Sequence, residues 1–107
     1  METLYPYADV LHFAEQVFIK IGCSAEQAHI AAESLLSADL SGVDSHGVAR
    51  LSGYVRLWEV KRVNPRPDMR IVHETPSTAT FDGDARLGLV VAPAAMAIAI
   101  EKARQAG

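Results

Sequence analysis

Ser45, His46, Arg50 and Tyr54 are the residues of this chain whose types and spacing could do chemistry. An imidazole titrates near neutral pH and can give or take a proton at a carbonyl or hydroxyl group. A guanidinium presents a planar fork that binds two carboxylate oxygens at once. A phenol adds one hydrogen bond. Counted from a helix start near Ser45, the residues His46, Arg50 and Tyr54 recur at four-residue steps. Residues four apart on a helix are neighbours, so the three groups are expected on one face. Val48, Leu51, Val55 and Trp58 fall on another face, at the spacing of a core stripe.

Each of these residues also has a plain structural reading. Ser45 suits an N-cap, whose hydroxyl satisfies a free backbone N–H. His46 could pack or cap. Arg50 could be a solvated cation in a weak ion pair, and Tyr54 a half-buried structural ring. Asp39 stands near the end of the preceding helix, where the helix field disfavours a carboxylate. It therefore needs a partner, expected in the Gly42–Ser45 loop or at Arg50, in a supporting role.

The elements that must position these groups can be read from pattern. A first helix is predicted from about Ala8 to Ile21, with Val10, Ala14, Val17 and Ile21 at helical spacing and Gly22 as its left-handed cap. Ser24, with Gln27 three residues on, opens a second helix in a capping box. Ala28, Ala31, Ala32, Leu35 and Leu36 form its apolar stripe, and Gly42 ends it. The third helix is predicted from Ser45 to Lys61, stopped by Asn64-Pro65-Arg66-Pro67.

Beyond that stretch Met69–Glu74 and Thr78–Asp82 read as short strands, split by Thr75-Pro76-Ser77. Asp82-Gly83-Asp84 reads as a turn. An alanine-rich helix then runs to Arg104, starting near Ala92 or kinked at Pro93. The expected class is mixed α/β. A three-helix lobe over residues 1–63 leads into the beginning of an α/β domain over residues 64–107. Two strands are marginal alone, so they are expected to extend a larger sheet.

The stretch Ala38-Asp39-Leu40-Ser41-Gly42-Val43-Asp44-Ser45-His46-Gly47-Val48-Ala49-Arg50-Leu51, with Tyr54 just after it, resembles a signature of the malate/L-lactate dehydrogenase-type oxidoreductases. That family includes malate, ureidoglycolate and sulfolactate dehydrogenases and the cyclic-imine carboxylate reductases. The resemblance continues through Asn64-Pro65, Thr78–Gly83 and the alanine-rich segment to Gly107. It implies hydride transfer between NAD or NADP and a small 2-oxo or 2-hydroxy acid. Ser45 and His46 would form a proton relay completed by an aspartate outside this sequence, and Arg50 and Tyr54 would bind substrate. Family members are longer, so the resemblance implies an N-terminal portion, inactive by itself, of an enzyme expected to be a homodimer.

Composition sets the bounds. With 107 residues the chain is one small domain or a piece of a larger one. Half the residues are apolar, enough for a folded segment rather than a disordered one. A net charge of −3 argues against nucleic acid as the main partner. Cys23 stands alone, which fits a reducing compartment. No basic-then-apolar leader is present, and the apolar run Leu89–Ile100 is too short to span a bilayer. A cytoplasmic protein with no membrane partner is expected.

His12, His29 and His73 are isolated, so no metal site is expected. No GxGxxG or phosphate-loop pattern occurs, and no cofactor-binding residue can be named. Two alternatives remain. Arg50, Arg56, Lys61, Arg62, Arg66 and Arg70 could serve a helical DNA-binding module, or the chain could be a non-catalytic interaction domain.

Overall fold

The computed structural model describes residues 3–64 and 66–107. Helix α1 spans Tyr7–Lys20 and α2 spans Ala25–Leu40. Two 3₁₀ turns follow, Asp44–His46 and Val48–Arg50, and then α3 at Leu51–Glu59. Strands β1, Arg70–Glu74, and β2, Ala79–Asp82, precede the long helix α4, Gly88–Ala106.

The helical lobe is built on local signals. Ser24 Oγ accepts from Gln27 N at 3.1 Å, and Gln27 Oε1 accepts from Ser24 N at 3.4 Å, completing the capping box. Ala28, Ala31, Ala32, Leu35 and Leu36 of α2 are buried against Ala14 and Phe18 of α1. The small alanines let the two helices approach. Phe18, Ile21 and Leu35 fill the seam, each stabilising the fold by about 1.5–3 kcal/mol on burial.

Three helices end alike. Cys23 N bonds Phe18 O and Gly22 N bonds Ile19 O after α1. Val43 N bonds Ala38 O and Gly42 N bonds Asp39 O after α2. Arg62 N bonds Leu57 O and Lys61 N bonds Trp58 O after α3. This paired pattern needs a left-handed residue just past the helix. Gly22 and Gly42 supply it at φ 104° and 77°, while α3 uses Lys61 at φ 59°. A side chain in that region is strained.

The third helix differs from expectation. It begins at Leu51 rather than Ser45 and ends at Glu59 rather than Lys61. The helical pattern is interrupted at Gly47, which sits at φ −93° and ψ −147° between the two 3₁₀ turns. Of the predicted stripe Leu51 is buried and Val48 and Val55 are half-buried, but Trp58 remains 37% exposed. Pro65, part of the expected stop, lies outside the described residues.

β1 and β2 pair antiparallel, Ile71 opposite Phe81, with an irregularity between Ile71 and His73. Phe81 is the one half-buried residue of the two strands. Lys102 Nζ ties α4 to this hairpin, donating to Thr75 O at 2.7 Å and lying 2.9 Å from Glu74 Oε2. α4 starts at Gly88, ahead of the expected Ala92, and runs through Pro93.

The segment after the hairpin joins the helical lobe through buried Leu87 and Val90 and through Arg86. Its Nη1 donates to Asn64 O at 3.0 Å, and its Nη2 contacts Cys23 Sγ and Gln27 Oε1. The side chain is buried with no carboxylate on it, and its Nε is unpartnered among the described residues. Burial pushes the Cys23 thiol above its ordinary value, against the opposing pull of the Arg86 guanidinium.

Two substitutions of opposite sign follow from the helix ends. Lys61→Gly relieves the left-handed strain and raises unfolding free energy by about 0.5–1 kcal/mol. Ser24→Ala removes the cap and lowers it by about 1 kcal/mol. Urea denaturation of each variant measures both.

Candidate functional site

The polar residues singled out in the sequence converge around the two 3₁₀ turns and α3. His46, Arg50, Gly53, Tyr54 and Leu57 line an open groove of about 370 Å³. Ser45 joins it through its hydroxyl, 2.9 Å from His46 Nδ1. The direction of that hydrogen bond sets the tautomer. With Ser45 donating, Nε2 carries the ring proton; with Nδ1 donating, Nε2 is a free base. The pair can therefore both give and take a proton at Nε2.

Arg50 Nε donates to Ser45 O at 2.6 Å. This bond folds the side chain back over the turn and ties it to the residue that contacts His46. It leaves the outer edge, Nη1 and Nη2, without a protein partner among the described residues. That edge has the geometry for end-on binding of a carboxylate. Tyr54 is half-buried, its ring 6.2 Å from that of Phe18 and tilted by 50°. It lines the groove and packs on the core at once.

His46, Arg50 and Tyr54 do share one side, as their spacing implies, although no single α-helix carries them. The 3₁₀ turns and the bend at Gly47, rather than one helical period, bring them to the same groove. His46 does not lie in the first turn of α3, which begins beyond Arg50, and helix fields fade within a turn. Ser45 is not the N-cap of a helix either, since the turn it occupies has no side-chain cap.

Asp39 does have a partner, but not one of those expected. Its Oδ2 accepts from Val48 N at 2.8 Å, reaching past the loop to the start of the second turn. The carboxylate lies so close to Gly47 that a Cβ there would stand 2.0 Å from Oδ1. Gly47 is thus a close-approach glycine, and no other residue fits beside this carboxylate. The sequence reading missed Gly47, Gly53 and Leu57. The Ser-His-Gly order was the available signal for the first; a glycine inside a helical pattern was the signal for the second.

No group of three or more metal-ligating side chains capable of holding a metal occurs among the described residues. No helix there is long and apolar enough to cross a membrane.

The groove thus brings a histidine–serine contact and an unpaired guanidinium edge together among the described residues. Residues 5–107 match the family model for malate/L-lactate dehydrogenase. This chain belongs to that family of oxidoreductases.

Among its relatives, the L-sulfolactate dehydrogenase of Methanocaldococcus jannaschii is 44% identical over 91 residues, 85% of this chain and 26% of that protein. The malate dehydrogenase of Pyrococcus abyssi is 43% identical over 102 residues, 95% of this chain and 28% of that protein. The solved malate dehydrogenase of Pyrococcus horikoshii OT3 superposes with a TM-score of 0.91 at 42% identity, over 95% of this chain and 29% of that one. The chain therefore spans little more than a quarter of the length of these curated relatives. The alternatives of a DNA-binding or purely interacting helical module are not favoured.

Gly47→Ala is expected to drive the Asp39 carboxylate off Val48 N–H and to destabilise the protein by about 1–3 kcal/mol. Asp39→Asn keeps an acceptor oxygen and is expected to lose less than Asp39→Ala. Chemical denaturation of the three variants, with the Val48 amide followed by hydrogen exchange, measures the order.

Proposed function

We propose that this chain is the N-terminal part of an NAD(P)-dependent oxidoreductase that interconverts 2-hydroxy acids and 2-oxo acids, and that it supplies the proton-transfer and carboxylate-binding side of the site. The observation that carries the reading is the joined set Ser45–His46–Arg50. One hydrogen bond poises the imidazole and another turns the guanidinium edge toward the same groove.

In this reading Arg50 holds the substrate carboxylate through Nη1 and Nη2. The neighbouring oxygen then lies toward His46. In reduction Nε2 gives its proton to that oxygen; in oxidation it takes the proton from the hydroxyl. In reduction Ser45 gives its hydroxyl proton to Nδ1 as Nε2 releases one, and the relay aspartate that the family resemblance implies, outside this sequence, returns a proton to Ser45; oxidation runs the same transfers in reverse. Tyr54 offers its hydroxyl to the same ligand from a ring fixed against Phe18.

NAD or NADP supplies the hydride chemistry when bound. The sequence carries no phosphate-loop pattern, so no cofactor-binding residue is assigned to this chain and no step here is routed through the cofactor. Residues 1–63 are assigned to a helical lobe and 64–107 to the beginning of an α/β domain, with the seam at Asn64. Exposed Ile71, Val72, Met96 and Ile100 leave apolar surface on the hairpin and α4. Such surface fits cover by further polypeptide and assembly as a homodimer. A cytoplasmic location is consistent with the free, buried Cys23.

In the full-length enzyme, His46→Ala is expected to lower kcat by about 10²–10⁴-fold with a small change in KM. Arg50→Lys is expected chiefly to raise KM, since the fork holds the carboxylate throughout. Steady-state kinetics with a 2-oxo acid separate the two, and near-normal kcat in His46→Ala removes the proton-donor role. The 107-residue chain alone is expected not to bind NADH tightly, as read by nicotinamide fluorescence; micromolar binding would place the cofactor site within it.

A further inference from the structure

Gly53 lies on the groove wall, one turn beyond Arg50 and one turn before Leu57. Glycine is the poorest helix former after proline, so its presence in the helical stretch calls for a reason. The usual reasons are absent. The residue is not left-handed, and a Cβ built on it meets nothing within 4 Å. Gly47 is the contrast, where a Cβ would collide with Asp39. Nothing in the packing of the described residues, then, demands a glycine at position 53. What the missing side chain does is keep open the space between Arg50, Tyr54 and Leu57.

We propose that Gly53 sets the length of acid the groove accepts: its bare backbone admits the part of a 2-oxo acid that extends beyond the carbonyl carbon. This inference rests on the reading of Arg50 and His46 given above. With the carboxylate on the Nη edge of Arg50 and the carbonyl oxygen toward His46, the proposal runs the remaining carbons along this wall, over Gly53 toward Leu57. The tail it favours is apolar. Beyond Arg50 and His46 the lining consists of a glycine, a tyrosine and a leucine, with no further charge. Leu57 is 39% exposed and gives the far end of the tail an apolar contact.

The test uses the full-length enzyme and a homologous series of 2-oxo acids: pyruvate, 2-oxobutanoate, 2-oxopentanoate and 2-oxohexanoate. Gly53→Ala and Gly53→Val place one and three carbons in the space. A one-carbon mismatch between an apolar tail and the surface it lies on typically costs about tenfold or more in kcat/KM. The expected result is that kcat/KM for the longest acid, relative to pyruvate, falls by roughly tenfold in Gly53→Ala and further in Gly53→Val. Gly53→Ala should also raise Tm, because alanine favours the helix and meets no neighbour.

An unchanged ratio across the series overturns the proposal, as does an equal loss on every acid. A lower Tm in Gly53→Ala overturns it too, by showing that polypeptide rather than substrate occupies the space. Failure here is distinct from failure of the catalytic reading. If His46→Ala abolishes turnover while the Gly53 variants leave the ratio unchanged, only the length-setting role falls.

Discussion

The geometry of the candidate site depends on one carboxylate. Asp39 sits at the C-terminal end of α2, where the helix field opposes it by about 0.3–1 kcal/mol. Its bond to the Val48 amide is charge-assisted, a class that contributes roughly 1.5–3 kcal/mol. The bond therefore outweighs the field. It pins the residue before the bend, on α2, to the residue after it, at the start of the second 3₁₀ turn. Ser45 and His46 lie in the span between these two fixed points. Gly47 makes the approach possible by having no side chain, and Leu51 anchors the next turn in the core. The site is therefore held from both ends by groups that do not take part in it.

Much of this could be read from sequence because the signals are local. Ser24 and Gln27 cap each other three residues apart, and Gly22 and Gly42 each stop a helix within a few positions. The alanine–leucine stripe of α2 needs only the helical period to be recognised. The parts that escaped are those set by distant partners. Periodicity runs unbroken through Gly47, because the residues on both sides are helical in kind; the interruption comes from Asp39, one helix away. Lysine is no signal for a left-handed cap, so the end of α3 was placed too late. Trp58 has the spacing of a core residue, yet the described chain covers it only in part and leaves it 37% exposed. Arg86, a charged residue just past the Asp84–Ala85 turn, gives no hint that it will be buried.

The joint between the two halves of the chain is also made by a few polar side chains. Asn64 N bonds Ala85 O at 2.8 Å, its amide donates to Asp84 Oδ2 at 3.0 Å, and its own carbonyl receives Arg86. Asp84 Oδ2 also accepts from Asp68 N at 2.7 Å. The resemblance of Asn64-Pro65 to the family pattern thus has a physical basis at Asn64. It closes the loop that leaves α3 onto the turn that leads to α4. Asp84 and Ala85 hold positive φ values of 52° and 57° to make that closure. Backbone strain here is offset by hydrogen bonds gathered from both sides.

The contact of Arg86 with Cys23 has a use that does not depend on function. The guanidinium covers the sulfur, which is 6% exposed. An alkylating probe can reach that sulfur only when the arginine swings aside, and burial keeps the thiol protonated and slow to react. Since no other cysteine is present, the labelling rate of this protein is a clock for one event. It counts how often the Arg86 side chain uncovers the sulfur.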